Sequence, residues 1–237
     1  MAKSGSKKTN ASQTAPSPSP SNLVAFPNIS PKHGLACRVL LENQILLLDG
    51  FLSSEECKNL VKFIDSQQLE LTPPKKKGEA ERVNYRHSIT SAEIAQKLFD
   101  VLAPHIPEFS YPTRVKGRPD NATRPAHSLN SNIRMYKYTS GQYFGPHYDD
   151  SVRDAVTGEK SEWTLLLYLT GVEDGVKGGE TIFYQSHKGR KQDAIVASLT
   201  RGTALLHRHG QDCMLHEGSP VTQGVKYILR SDVMFVD

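Results

Sequence analysis

The chain has 237 residues, 37% of them hydrophobic and 23% charged, enough to close one apolar core without disulfides. Removing the three lysines of the acid-free first 22 residues from the formal charge of +4 leaves +1, so charge offers no ground for a nucleic-acid partner. No apolar run approaches the roughly 18 residues of a membrane span, and MAKSGSKK leads into no apolar h-region, so neither membrane insertion nor secretion is expected.

Residues 1–34 are rich in Ser, Pro, Thr and Asn and hold too few large apolar side chains to offset the entropy of ordering. They are expected to form a disordered, solubilising tail, in preference to a nuclear-import or phosphorylation segment, ahead of one domain over residues 35–237. Cys37, Cys57 and Cys213 fall in no CxxC spacing, which suits packed thiols in a reducing compartment, cytoplasmic or nuclear. From Arg38, RVLLENQILLLDGFL mixes short apolar runs and closes on Asp-Gly, the pattern of strands.

Next, Ser53 and Glu56 stand in capping-box spacing, with Cys57, Leu60, Val61 and Ile64 on one helical face. A second helix is expected from Thr90 and Glu93, where Ile94, Leu98, Val101 and Leu102 recur at three- and four-residue steps until Pro107. LTPPKKKGEAERVNYRHS between the helices and PEFSYPTRVKGRPDNATRPAHSLNSN after them read as long loops, either lids over a site or plain solvated connections. From residue 132 the chain turns to short β segments: NIRMYKY, WTLLLYL, ETIFYQ, GTALLH, a pair around VTQG, and KYILRSDVMFV. The whole predicts a mainly β domain with flanking helices, an antiparallel sandwich or barrel.

Within this β region, YFGPHYDDS places His147 and Asp149 either side of Tyr148, after a Gly-Pro turn signal. On an extended chain both would project the same way, about 7 Å apart. They form either two ligands for one ion or an ordinary polar strand end, and an HxD alone does not decide between these. Asp150 is expected to point to the other side and reads as a turn residue or an outer support of the site. His207 and His209 have no carboxylate at ligand spacing and read as outer supports or solvent-facing groups, in preference to a second metal site.

Support for the metal comes from LHEGSPVTQGVKYILRS, residues 215–231. The HxD of His147 and Asp149, then His216 in H-x-x-x-P-V-x-x-G-x-K ending at Lys226, resembles the catalytic domain of prolyl 4-hydroxylase-like Fe(II)/2-oxoglutarate-dependent dioxygenases. TLLLYL and GGETIFY lie between, in the order of that family's central strands. The similarity runs from about Gln44 to Phe235 and is strongest from Tyr136 onward.

The resemblance implies a double-stranded β-helix, or jelly-roll, core with one iron held by His147, Asp149 and His216. Two imidazoles and a carboxylate on one face of an octahedron leave three positions open. Two of them go to 2-oxoglutarate and one to dioxygen, and ascorbate enters as an accessory reductant. The far carboxylate of 2-oxoglutarate needs a buried cation. Lys226 fits, with Tyr138 and Tyr168 beside it, and Arg230 followed by Ser231 is the alternative grip. The implied reaction hydroxylates an unactivated C–H bond and releases succinate and CO2. The substrate stays open among a protein side chain, a free amino acid and a small metabolite, with Asn84, Arg86 and Arg153 as candidates for the site's mouth. An N-demethylating oxygenase, a non-catalytic metal-binding jelly-roll and a zinc hydrolase are the rival readings. The oligomeric state is not legible.

Overall fold

The computed structural model describes residues 25–236, apart from 114, 116, 118, 120 and 186–193. Strands β1 (Cys37–Leu41) and β2 (Ile45–Leu48) pair as a hairpin and lead into helix α1 (Ser54–Asp65). The predicted capping box is present: Ser53 Oγ accepts from Glu56 N at 3.2 Å, and the Glu56 carboxylate accepts from Ser53 N at 2.7 Å. Glu56 also takes Ser30 N at 2.8 Å and the Lys32 ammonium at 2.6 Å. Phe26 packs edge-on against Phe63 at 5.3 Å. Residues 25–34, read from composition as part of the tail, are therefore laid along α1 by three contacts that composition does not register. Residues 1–24 of that expected tail lie outside the described residues.

The segment before the second helix corrects the expectation of a loop. It carries β3 (Glu70–Leu71), β4 (Arg82–Val83) and β5 (Tyr85–Thr90). Helix α2 (Ala92–Leu102) begins one residue later than predicted. Thr90 is held in the sheet opposite Asn132, so Ser91 supplies the cap, accepting from Ile94 N at 3.2 Å. Short β6 (Phe109–Ser110), β7 (Thr123–Arg124) and β8 (Ser128–Leu129) follow.

The remaining strands are β9 (Asn132–Tyr138), β10 (Tyr143–His147), β11 (Lys160–Tyr168), β12 (Lys177–Gly178), β13 (Thr181–Tyr184), β14 (Ala194–Ala197), β15 (Ala204–Arg208), β16 (Leu215–Gly218), β17 (Val221–Gln223) and β18 (Lys226–Phe235). They build two antiparallel sheets. The larger runs β1-β2-β15-β11-β18-β9-β5-β3, with β8 also on β18; the smaller runs β14-β13-β16-β10-β4. This is the jelly-roll expected from the sequence.

Side chains alternate between the two faces of the larger sheet, and the alternation separates packing from chemistry. Trp163, Leu165 and Leu167 of β11, Ile133 and Met135 of β9, and Leu229 of β18 join the core with Leu60, Ile64, Leu98 and Leu102 of the helices. Leu166 and Tyr168, Tyr136 and Tyr138, and Ile228 turn the other way, into a second cluster with Phe183, Ala197 and Val221 toward the smaller sheet. On that inner face the periods of β9 and β18 also bring Arg134, Lys226 and Arg230, which are polar residues in otherwise apolar strands.

Candidate metal centre and its cavity

Neighbouring strands β10 and β16 set His147 directly opposite His216 in register. Their rings lie 4.2 Å apart, and Phe144 stacks on His147 with centroids 3.6 Å apart. Each imidazole is aimed through its own backbone: His147 Nδ1 meets Gly145 O at 2.8 Å and His216 Nδ1 meets Met214 O at 2.9 Å. A carbonyl only accepts, so both Nδ1 atoms carry a proton and both Nε2 atoms face the metal position, where on His216 a metal would displace the proton directed at Asp149. Strand β10 ends at His147, the chain turns at Tyr148, and the Asp149 carboxylate swings back. The residues are therefore closer than the 7 Å of an extended chain: Asp149 lies 3.7 Å from His147 Nε2 and 3.6 Å from His216 Nε2.

All three donor atoms fall within 4.8 Å of one another. Ligands at right angles around an ion with bonds of about 2.1 Å sit ~3 Å apart, so the three side chains have to draw closer to close on one metal. One oxygen and two nitrogens, with one face left clear, fit a ferrous ion. Burial holds the His147 imidazole down at about 4. Burial acts against the charge on His216 too, but its hydrogen bond to Asp149 and the Cys213 thiol outweigh that and raise it to about 9.

Asp149 is the most supported residue of the set. Arg230 grips both its oxygens, at 3.1 and 3.0 Å, and Thr164 Oγ1 donates to it at 3.1 Å. Burial alone would raise this carboxyl; the Arg230 guanidinium, then His216 and His207, hold it well below the usual carboxylate range. His209 bridges Thr164 Oγ1 and Ser161 Oγ, both at 2.9 Å, and His207 Nε2 stands 3.7 Å from Asp149. Both histidines are buried supports of the site, and neither faces solvent. Arg230, the alternative grip for a diacid, is committed to Asp149, while Ser231 points to the opposite face and bonds Asn130 O at 2.8 Å.

Lys226 lies opposite Tyr138 in the β18–β9 ladder. Its ammonium sits 5.2 Å from the Tyr138 ring centroid and 5.9 Å from that of Tyr168, and it donates to Gly179 O. Gly179, at φ +78°, keeps the approach clear, since a Cβ there would stand 3.1 Å from Lys226 Cδ. Tyr168 is tied to Thr181 Oγ1 at 2.7 Å. Among the described residues no carboxylate forms an ion pair with the ammonium, and burial, against the charge of Glu180, pulls Lys226 down to about 8. Burial pushes the Tyr138 phenol up to about 12, so it stays protonated. A recess of about 40 Å³ connects Lys226 with His147, Asp149 and His216.

Outward from the metal set opens a cavity of about 1000 Å³ that Arg86 and Asp150 line. Asn84 is buried instead, accepting from Arg82 Nε at 2.8 Å. Arg153 is not at this cavity either; its guanidinium donates to Gly158 O at 2.5 Å within the turn before β11. Sequence reasoning passed over Arg82, Arg134, Thr164 and Asp232. Arg134 had a visible signal, as a charge between Ile133 and Met135 on an inward period. Arg82, in a charged stretch that reads as loop, had none.

A family model for the 2OG-Fe(II) oxygenase superfamily matches residues 133–231. The probable prolyl 4-hydroxylase 7 of Arabidopsis thaliana is 25% identical over 205 residues, which cover 78% of this chain and 60% of the relative. The chain thus spans less than two thirds of that protein. Two solved structures share the fold. The viral collagen prolyl hydroxylase of Paramecium bursaria Chlorella virus-1, in its 2OG complex, is 19% identical with a TM-score of 0.51 over 81% of this chain and 97% of its own. A prolyl hydroxylase in complex with a hypoxia inducible factor oxygen degradation domain peptide fragment, from Trichoplax adhaerens, is 16% identical with a TM-score of 0.53 over 81% and 84%. From β9 into β18 the chain thus matches the 2OG-Fe(II) oxygenase superfamily in sequence, and in its double-stranded β-helix it is similar to prolyl hydroxylases.

Proposed function

We propose that the chain is an Fe(II)- and 2-oxoglutarate-dependent dioxygenase that hydroxylates an unactivated C–H bond and releases succinate and CO2. The observation that carries this is the pairing of two features at one recess: three metal-type donors within 4.8 Å of one another and a buried ammonium with no carboxylate of its own. His147, Asp149 and His216 are assigned as the metal ligands. Fe(II), 2-oxoglutarate and dioxygen together supply the oxidising chemistry.

The chain's own residues do the rest. Arg230 and Thr164 fix the plane of Asp149, as outer partners of metal ligands do. Lys226 takes the far carboxylate of 2-oxoglutarate, leaving the Gly179 carbonyl and widening the recess. Tyr138 presents a protonated phenol beside it, and Tyr168, held by Thr181, walls the other side. Phe144, Phe183 and Leu166 keep water from the recess, which strengthens every charge interaction inside it. Ascorbate, if used, acts on idle enzyme and has no assigned residue.

The test is succinate release: protein loaded with Fe(II) under air converts 2-oxoglutarate to succinate even without substrate, and faster once one is found. No consumption at full iron loading contradicts the proposal. A pH dependence follows from Lys226. Binding a carboxylate needs the ammonium, whose burial places it near 8. The Kd for 2-oxoglutarate should therefore be flat below that pH and rise about tenfold per unit above it. Calorimetric titration between pH 6.5 and 9.5 with Mn(II) in the site reads this directly, and a Kd flat to pH 9.5 would show that Lys226 is not the anchor.

A further inference from the structure

Four guanidinium groups gather where the cavity meets the metal set. Arg134 and Arg230 lie directly opposite each other on β9 and β18. Arg86 of β5 faces Tyr136, two residues along from Arg134. Arg82 enters from β4, its Cζ 4.4 Å from the Tyr136 ring centroid and 4.5 Å from that of Phe144. All four line the same cavity, with Lys75 and Lys76 farther out. Like charges opposite one another weaken a sheet unless something answers them.

Carboxylates answer for half of the set. Arg134 pairs with Asp232, and Arg230 pairs with Asp149 and Asp232. Arg82 has the Asn84 amide oxygen, the Tyr136 and Tyr138 phenols and two ring faces, but no carboxylate among the described residues, and its Nη2 is buried without a hydrogen-bond partner. Arg86 is exposed, and the described residues give it no hydrogen bond or ion pair. The cavity's own acids are Glu79, Asp149 and Asp150, of which Asp149 is already taken. A divalent metal on Asp149 would make the same wall more positive still.

We propose that the substrate presents a carboxylate close to its reacting carbon, an aspartyl or glutamyl group, and that Arg82 and Arg86 grip it at the inner end of the cavity. This rests on the oxygenase reading and adds to it the chemical class of the substrate. A guanidinium fork suits a carboxylate through two parallel hydrogen bonds. Arg82, Arg134 and Arg230 all act on one point, the Tyr136 phenol, and Arg86 stands opposite that residue on β5, a cluster that matches one or two carboxylates and not a run of phosphates. Of the aromatic residues lining the cavity, only Tyr148, 63% exposed, offers an open face for stacking a base. A cavity of about 1000 Å³ admits a short peptide.

The test uses the full chain loaded with Mn(II) and 2-oxoglutarate, which fills the site without turnover. A fluorescent Gly-Ser-Pro peptide containing two glutamates is titrated against its glutamine twin, with polarisation as readout. The acidic peptide should bind at least about tenfold tighter, the advantage should shrink with salt, and R86Q should lose it. R82Q should do the same, and retained 2-oxoglutarate affinity in each variant certifies that it is folded. Equal binding of the two peptides, or an advantage that survives in R86Q, overturns the proposal, as does tighter binding of an oligothymidylate than of the acidic peptide. Free glutamate competing as well as the peptide supports the carboxylate and names a free amino acid as its source; competition by the unlabelled peptide alone names a protein side chain. Failure of the oxygenase reading shows earlier and separately, as absent Mn(II) or 2-oxoglutarate binding before any peptide is added.

Discussion

Replacing His147 or His216 with alanine is expected to lower succinate release by about a thousandfold or more, because each change removes one of three protein bonds to the metal. Loss of an outer partner of a metal ligand typically costs 10–100-fold, so loss of a ligand must exceed it. Both side chains sit at the ends of short paired strands, and their Nδ1 atoms bond the backbone of their own strand. Fold loss is therefore a small part of the effect. Mn(II) affinity measured by calorimetry separates the two: a folded variant with a normal melting curve should bind Mn(II) at least ~100-fold more weakly. Near-normal turnover in both variants would remove the assignment of these residues.

Lys226→Met is expected to raise the 2-oxoglutarate requirement by about a hundredfold or more while leaving metal affinity within about threefold. The ammonium is the cation that the recess presents with no carboxylate partner, and an anion left buried beside a neutral side chain costs roughly 3–5 kcal/mol. Methionine matches the lysine stem in length and carries no charge, so the strand should keep its place between Tyr138 and Tyr168. Initial rates of succinate formation against 2-oxoglutarate concentration give the answer. An unchanged requirement would move the anchor to Arg230, which would then have to release Asp149.

The jelly-roll was legible because its strands are buried on both faces and punctuated by turns, and the ligand set because its residue types and order are themselves chemical. Distances were not. The separation of His147 from Asp149 depends on the strand ending at His147, which no local signal marks. Residues 82–88 read as loop because Arg82, Asn84, Arg86 and His87 break the apolar alternation, yet Arg82 and Arg86 are what the cavity uses. Thr90 looked like a helix cap until pairing with Asn132 claimed it. Residues 25–34 looked like tail because the three contacts to α1 carry no compositional mark. Arg230 was readable as an anion grip but not as the partner of Asp149, since that pairing joins residues 81 positions apart.

The central claim is that His147, Asp149 and His216 hold a ferrous ion next to a cation that receives 2-oxoglutarate. Its most direct measurement is the visible spectrum of the protein under strictly anaerobic conditions as Fe(II) and then 2-oxoglutarate are added. A weak charge-transfer band should appear only when both are present, should saturate at one equivalent of each, and should be absent in His216→Ala. A protein that binds both and shows no band, or a band undiminished in that variant, contradicts it.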